Sequence, residues 1–348
     1  EDSSIVLEEI IVNADYRQSS LNDISSSVTV LDANLIQQKN AQHLEDILFN
    51  APNVNFSSGA SRARFYQIRG IGERGQFSEP LNSSVGVIID GVDFSGIGNA
   101  ALLYDVEQVE ILLGPQGTRY GSNALAGLIN LQSKAPTNET SYGLQLENAN
   151  HNSSGLAGYL SGSVSDQLRY RLSAQKIKTD GFNTNQFLLQ DTNQRDEGIV
   201  RGQLDWSLSD NVQLDVTATI IDINNGYDAF SLDNVRDTLS DQPGIDRQQS
   251  DILSTKLSLS QFEKFRVEAL LGYADSETEY AYDEDWVYSG FHPFEYSSTD
   301  QYFRDRETTS AELRFVSSDS GLIFSDTSDW IFGLYALQQK VDLRRVYT

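Results

Sequence analysis

The chain contains no cysteine and no methionine, and only 3 histidines, 3 tryptophans and 6 prolines in 348 residues. Without cysteine there is no disulfide, no thiolate nucleophile and no zinc–thiolate centre. His43, His151 and His292 lie far apart in the sequence, which argues against a multi-histidine metal site. No metal and no cofactor is therefore expected. Methionine is missing even at the start, and Glu1-Asp2-Ser3-Ser4 offers neither a basic stretch nor an apolar core of a leader. The expectation is a processed or trimmed chain whose leader, if any, has been removed. Long apolar runs are also absent. No stretch of about 18 apolar residues occurs, so no transmembrane helix is expected, and mean hydropathy is −0.39. A membrane-spanning barrel is untouched by that exclusion, because its strands alternate. Basic residues are scarce: 25 Lys and Arg face 50 Asp and Glu, for a net charge of −25. With no Lys/Arg clusters to meet phosphates, nucleic acid is excluded as a partner. An acidic exterior suits neutral or cationic ligands.

What is present falls into two textures that meet at Gln108–Leu131, QVEILLGPQGTRYGSNALAGLINL. That stretch reads as a buried strand, a Gly-Pro-Gln-Gly turn, one helical turn and a second strand. Before it the sequence is mixed α+β. Ile5 to Ala14 is a short β-branched run with acidic residues. It reads either as an edge strand of the domain that follows or as an extended peptide offered to a partner's sheet edge. Ser27 to Leu31 reads as a strand, with Asp32 capping a short helix through Gln38. A second helix is expected from about Ala41 to Asn50, stopped by Pro52. Arg64 to Gly70 and Val85 to Val92 read as strands around a polar loop. That loop holds Gly70, Gly72 and Gly75 at dinucleotide-fingerprint spacing, with Asp90 about 20 residues on. The fingerprint requires a helix to start at its third glycine. Here Gln76-Phe77-Ser78-Glu79-Pro80 follows, so the glycines are read as loop formers and a soluble nucleotide-using enzyme is set aside. Gly114-Pro115-Gln116-Gly117-Thr118 likewise lacks the Gly-Lys-Ser/Thr end of a P-loop.

From about Ala135 the pattern has period 2. Leu168, Tyr170, Leu172 and Ala174 alternate with polar residues, as do Val212, Leu214, Val216, Ala218 and Ile220. About nine strands are expected, near 141–150, 156–165, 168–180, 197–208, 212–225, 250–261, 266–283, 306–317 and 329–345. The joins at 165–167, 209–211 and 261–265 are short, and those at 181–196, 226–249 and 284–305 are long. Long alternating strands with short turns at one end and long loops at the other are the pattern of an outer-membrane barrel. A soluble β-sandwich would favour strands of about five or six residues. Trp206, Trp286 and Trp330 are candidates for interfacial girdle positions.

At the seam the chain resembles the TonB-dependent outer-membrane receptors. The matching pieces are Leu7 to Ala14, Ile68-Arg69-Gly70-Ile71-Gly72, Ser84 to Val92, and Val106 to Gly127. The motifs cover residues 7 to about 134. One position departs, Leu113, where the family often has Arg before Gly-Pro. The resemblance implies an N-terminal TonB-box segment (1–20), an α+β plug domain (21–135) and the N-terminal part of a transmembrane antiparallel β-barrel (136–348). The family's barrel has roughly 22 strands, so a fragment of a longer chain is expected. It further implies no enzyme but energy-coupled import across the Gram-negative outer membrane, most often of a ferric siderophore. Cobalamin or carbohydrate import and a non-importing signalling receptor are the alternatives. TonB is the implied partner, pairing with Glu8, Glu9, Ile10, Ile11, Val12, Asn13 and Ala14, and membrane lipid surrounds the barrel. Ligand is expected to bind between the plug apex and the extracellular loops. The apex candidates are Arg62, Arg64, Phe65, Tyr66, Arg74 and Phe77, cations for an anionic chelate and aromatics for its rings. Tyr282, Trp286 and Tyr288 are the loop candidates.

Overall fold

A computed structural model describes residues 11–12, 19–20, 24, 26–58, 62–75, 82–97, 102–227, 230–293, 297–325 and 327–348. Two compact units result: Glu1–Ser58 with Ala63–Asp90 and Phe94–Lys134, and Gly59–Arg62 with Gly91–Asp93 and Ala135–Thr348.

The first unit is built on short strands: β1 (Ile11–Val12), β2 (Ser19–Ser20), β3 (Ser27–Asp32), β4 (Val54–Ser58), β5 (Ala63–Ile68), β6 (Val85–Ile89), β8 (Val106–Leu113) and β9 (Gly127–Ser133), while β7 (Val92–Asp93) belongs to the second unit. Within the first unit the main sheet runs β3-β8-β9-β6, antiparallel except for the parallel β6/β9 pair. β4 and β5 form a separate antiparallel hairpin. Asp32 caps α1 (Ala33–Gln38), its Oδ1 accepting from Leu35 N at 2.8 Å. The second helix, α2, spans only Glu45–Leu48, shorter than the expected 41–50. The Asp46 carboxylate explains the late start, since its Oδ2 accepts from both Gln42 N and His43 N at 2.9 Å and holds those residues in a turn. The expected single strand from Val85 to Val92 is broken in two. Asp90 (φ 48°) and Gly91 (φ 87°) are consecutive left-handed residues, the signature of a tight hairpin turn. Asp90 is held there by Ser133, whose N–H and Oγ–H both donate to its carboxylate, at 2.8 and 2.7 Å. The short helix α3 (Gly117–Tyr120) and β9 complete the unit.

The glycine triplet resolves as a turn. Ile68 and Ile71 exchange backbone hydrogen bonds at 2.9 and 3.0 Å. Gly72 follows at φ +152°, where a Cβ would run into the carbonyl of Tyr66.

The second unit is one antiparallel sheet of nine long strands in the order β10-β11-β12-β15-β16-β18-β19-β20-β21. They are β10 (Ser141–Ala149), β11 (Ser153–Ser165), β12 (Leu168–Thr179), β15 (Arg195–Ser209), β16 (Val212–Tyr227), β18 (Gly244–Leu259), β19 (Phe265–Asp283), β20 (Thr299–Ser317) and β21 (Ile331–Tyr347). Three further short strands, β13 (Asn183–Asn185), β14 (Gln190–Thr192) and β17 (Asp237–Thr238), pair with one another inside the long connections. β18 and β20 begin well before the expected 250 and 306. Gly244–Gln249 and Thr299–Asp305 carry only Ile245, Tyr302 and Phe303 among polar residues, so no regular alternation marks them as strand.

Cross-strand register sorts the exposed face into rows. Leu168, Trp206, Leu214, Leu257, Ala269, Leu313 and Leu334 stand opposite one another, followed by Tyr170, Leu204, Val216, Thr255, Leu271, Ala311 and Ala336. One row towards the short turns lie Val212, Leu259, Val267, Phe315 and Phe332, and one row the other way lie Leu172, Ala218, Leu253 and Tyr273. The following row turns charged at Asp251, Asp275, Glu307 and Lys340. Rows are about 6.7 Å apart along a strand, so four apolar rows cover roughly 20–27 Å along the strands, most of what a tilted strand needs to cross a barrel's lipid band. The opposite face of the same strands is polar and buried, with Arg171, Ser173, Arg201, Gln203, Thr219, Gln248, Ser250, Ser276 and Thr308. An apolar exposed face with a polar buried one inverts the arrangement of a water-soluble sheet.

Trp206 lies near the short-turn end of β15, and Trp330 sits at the same end, its Nε1 donating to Gly321 O at 2.8 Å. Trp286 lies at the long-loop end, off the strands.

Candidate functional site

Beyond the charged row the strands of the second unit continue toward the long loops, and their buried face becomes aromatic. Tyr227, Tyr280 and Tyr302 form a buried cluster with Phe230 and Tyr282 against it. The hydroxyls of Tyr227 and Tyr280 are hydrogen-bonded at 2.9 Å, with the rings stacked at 5.5 Å. Phe230 extends the cluster to Trp286, stacked at 4.6 Å. A second stack joins two loops, with Phe187 over Tyr288 at 4.5 Å and Phe291 edge-on to Tyr288 at 5.5 Å. Of the loop candidates, Tyr282 and Tyr288 are partly buried within these stacks, and Trp286 is exposed.

Fixed charges organise the same end. Asp300, wholly buried, receives Arg345 Nε on Oδ1 at 2.7 Å and Nη2 on Oδ2 at 2.9 Å, and the hydroxyls of Tyr302 and Tyr282 at 2.8 and 3.1 Å. Burial alone would raise this carboxyl, but these donors outweigh it and hold the group below its ordinary range. Burial, reinforced by Asp300, pushes the Tyr302 phenol up to about 12. Asp283, at the end of β19, accepts from Ser240 Oγ at 2.5 Å. Burial first, then Asp285 and Asp241 beside it, push its carboxyl up to about 7. Asn185 Nδ2 donates to Ser240 O at 2.7 Å, and Ser289 N to Asp241 at 2.9 Å. The connections 180–194, 228–243 and 284–298 are thus laced together by aromatic stacks and polar bonds. Such a constellation presents rings and carboxylates, which suits a ring-bearing ligand. Among the described residues no group of His, Asp and Glu is arranged to hold a metal ion.

The plug-apex candidates separate. Arg62 is not open to a ligand. Inside the second unit its Nε and Nη2 donate to the two oxygens of Asp246, at 3.0 and 2.8 Å, with side-chain exposures of 1% and 0%. The cation read as a ligand contact is therefore committed to a carboxylate. Tyr66 is buried on β5, Phe65 is partly exposed and Arg74 is exposed. Phe77 lies outside the described residues, as does the side chain of Arg64. Asp246, Asp300, Tyr227, Phe187 and Phe230 were not singled out from the sequence.

At the N-terminal segment, Glu8, Glu9, Ile10, Asn13 and Ala14 also lie outside the described residues. Ile11–Val12 pairs with Ser19–Ser20. Val12 is fully buried in a cluster with Ile88, Leu112, Ala124 and Leu128, and Ile24, Val28, Val30 and Tyr120 pack around it. Beside Val12, the Ile11 carbonyl accepts from Gln108 Nε2 at 3.0 Å.

Residues 20–128 match the family model of the TonB-dependent receptor plug domain. This chain carries a TonB-dependent receptor plug. The stretch that follows it has the strand pattern of the family's barrel. The chain is 28% identical over 242 residues to a probable TonB-dependent siderophore receptor, PirA of Acinetobacter baumannii, covering 62% of this chain and 32% of that protein. It is 27% identical over 183 residues to the vitamin B12 transporter BtuB of Vibrio vulnificus, covering 51% of this chain and 29% of that protein. The matched stretch therefore spans about a third of the length of these relatives. In fold, the crystal structure of the ferric yersiniabactin uptake receptor FyuA from Yersinia pestis superposes with a TM-score of 0.78 at 19% identity, covering 93% of this chain and 50% of that one. The plug's last strands, β8 and β9, are the Gln108–Leu131 seam. Leu113, where the family often has Arg, pairs with Ser27 and Gly127 at the end of β8.

Proposed function

We propose that the protein is an outer-membrane receptor importing a scarce nutrient, a ferric siderophore, with energy supplied by TonB. The observation that carries this is the joining, in one chain, of a plug domain to strands bearing an exposed apolar band. The relatives named for siderophores support the iron reading, and the likeness to a vitamin B12 transporter makes cobalamin the second reading. In this proposal the plug sits inside the barrel and the laced connections 180–194, 228–243 and 284–298 face the cell exterior. Trp286, Tyr288 and Tyr282 meet the ligand from the loops, and Arg64, Phe65, Tyr66, Arg74 and Phe77 meet it from the plug. Residues 8–14 add as a strand to TonB once ligand is bound.

Two measurements test the proposal. Ile11→Pro removes a ladder donor and fixes φ, so uptake should be lost while ligand binding persists. Unchanged uptake would remove residues 8–14 from the coupling role. Deleting the gene should impair growth under iron limitation. A defect seen only under cobalamin dependence would overturn the siderophore reading.

A further inference from the structure

The face of the plug sheet covered by the N-terminal strand is divided in two. One half is apolar: Leu112 on β8 stands opposite Leu128 on β9, and Val12 is buried against them together with Ile88 on β6, which stands beside Asn130. One step along the same strands the face becomes polar. Glu110 stands opposite Asn130, and Gln108 opposite Gln132. Glu110 is completely buried. Its Oε1 accepts from Gln108 Nε2 at 2.7 Å and from Gln132 Nε2 at 3.3 Å, and its Oε2 accepts from Asn130 Nδ2 at 3.1 Å. Gln108 Nε2 also reaches the Ile11 carbonyl, at 3.0 Å. A buried carboxylate ringed by amides is a costly choice for a small sheet, because an apolar side chain would fill the space without desolvating a charge. Stability of the plug alone does not call for it. The cluster aims one amide donor outward from the sheet, and that donor meets the backbone of the N-terminal strand.

We propose that Gln108, oriented by the buried Glu110, is a latch that sets how firmly the N-terminal strand is docked on the plug and so how readily TonB captures it. The inference rests on the reading of residues 8–14 as the TonB-pairing segment. Among the described residues the docked strand pairs with Ser19–Ser20 and is attached to the main sheet in two ways of different kind. Val12 supplies apolar burial, which fixes which side of the strand faces the sheet. The Gln108–Ile11 bond supplies register, because it forms only when the Ile11 carbonyl lies over the amide. A shift of one residue would also turn Val12 to the wrong side of its strand. Glu110 keeps the amide pointing outward by accepting its other proton. Gln108 is therefore a positioning residue, acting on coupling rather than on ligand.

The affinity of TonB for the receptor is reduced by the fraction of molecules whose strand is free. One half-buried hydrogen bond contributes about 0.5–1.5 kcal/mol, so its removal should raise the free fraction, and hence TonB affinity without ligand, about two- to tenfold. The experiment compares the intact receptor in detergent with its Gln108→Leu and Glu110→Gln variants, using the purified periplasmic domain of TonB as the probe. Gln108→Leu should bind that domain two- to tenfold more tightly than the wild type does. Glu110→Gln keeps the shape but loosens the orientation of Gln108, and should give a smaller change of the same sign. Melting temperatures close to wild type would show that the plug is intact. A synthetic peptide of residues 5–16 serves as the control. If the peptide binds TonB but Gln108→Leu leaves receptor affinity unchanged, the latch is wrong. If the peptide does not bind, the TonB-pairing reading itself fails.

Discussion

Replacing Asp246 by alanine should release the segment that carries Arg62, at a cost that can be worked out from the geometry. The pair is bidentate, at 3.0 and 2.8 Å, and both side chains are almost wholly excluded from solvent. Removing one member of such a pair leaves a buried charge uncompensated, which costs about 3–5 kcal/mol. A protein rarely pays that in full when a local opening can hydrate the stranded guanidinium. The expected response is detachment of the β4–β5 connection rather than global unfolding. Hydrogen exchange followed by mass spectrometry on peptides spanning residues 59–68 should then accelerate by about two to three orders of magnitude, at roughly 1.4 kcal/mol per tenfold. Peptides from β15 and β16 should be unaffected. The double variant Arg62→Met/Asp246→Leu removes both charges and should restore most of the protection, because apolar replacements of a buried pair are often neutral. Two results would refute the reasoning: exchange in Asp246→Ala within threefold of wild type, or a double variant as labile as the single one.

The raised Asp283 carboxyl predicts pH-dependent loop lacing. Its folded value is pushed to about 7, above the ordinary 3.8, so its contribution is fully present below about pH 4 and is lost as pH rises through 7. Proteolysis within 284–298 should quicken between pH 5 and 8, and Asp283→Asn should flatten that profile. Gly72→Ala forces a Cβ against the Tyr66 carbonyl and should cost at least about 1–3 kcal/mol, the range for a strained backbone, read as a lower melting temperature of the plug. Tyr288→Ala removes the ring stacked on Phe187. It should cost about 0.5–1.5 kcal/mol of protection across 183–192 and weaken ligand binding measured by fluorescence titration.

The plug was legible because its local signals are strong. Asp32 capped the helix it was expected to cap, and the glycine loop proved to be a turn built around Gly72. The failures had local causes too. The second helix reads as longer than it is because Leu44, Ile47 and Leu48 repeat at helical spacing, while the Asp46 side chain, which claims the backbone of Gln42 and His43, leaves no mark in a hydrophobic period. The strand from Val85 reads as unbroken because Asp90-Gly91 sits inside a continuous apolar run. What split it was the turn preference of an Asp-Gly pair, which the surrounding valines and isoleucines obscured.

The barrel strands show where a two-letter pattern of polar and apolar stops carrying information. Alternation marks a strand only while its two faces meet different surroundings, as they do along Leu168–Ala174 or Val212–Ile220. Beyond the row of Asp251, Asp275 and Glu307 the exposed face meets water instead of lipid, and the buried face mixes Tyr280 and Tyr302 with Asp246 and Asp300, so polar and apolar residues no longer alternate. Gly244–Gln249 and Thr299–Asp305 therefore read as loop, although from Ile245 and from Asp300 onward both are paired on both sides. The same extension supplies Asp246, Asp300 and Tyr302, the residues that hold Arg62, Arg345 and the aromatic cluster. The residues that build the candidate site were hidden by the condition a polar binding mouth requires, strand geometry carried past the membrane with hydrogen-bonding side chains on both faces.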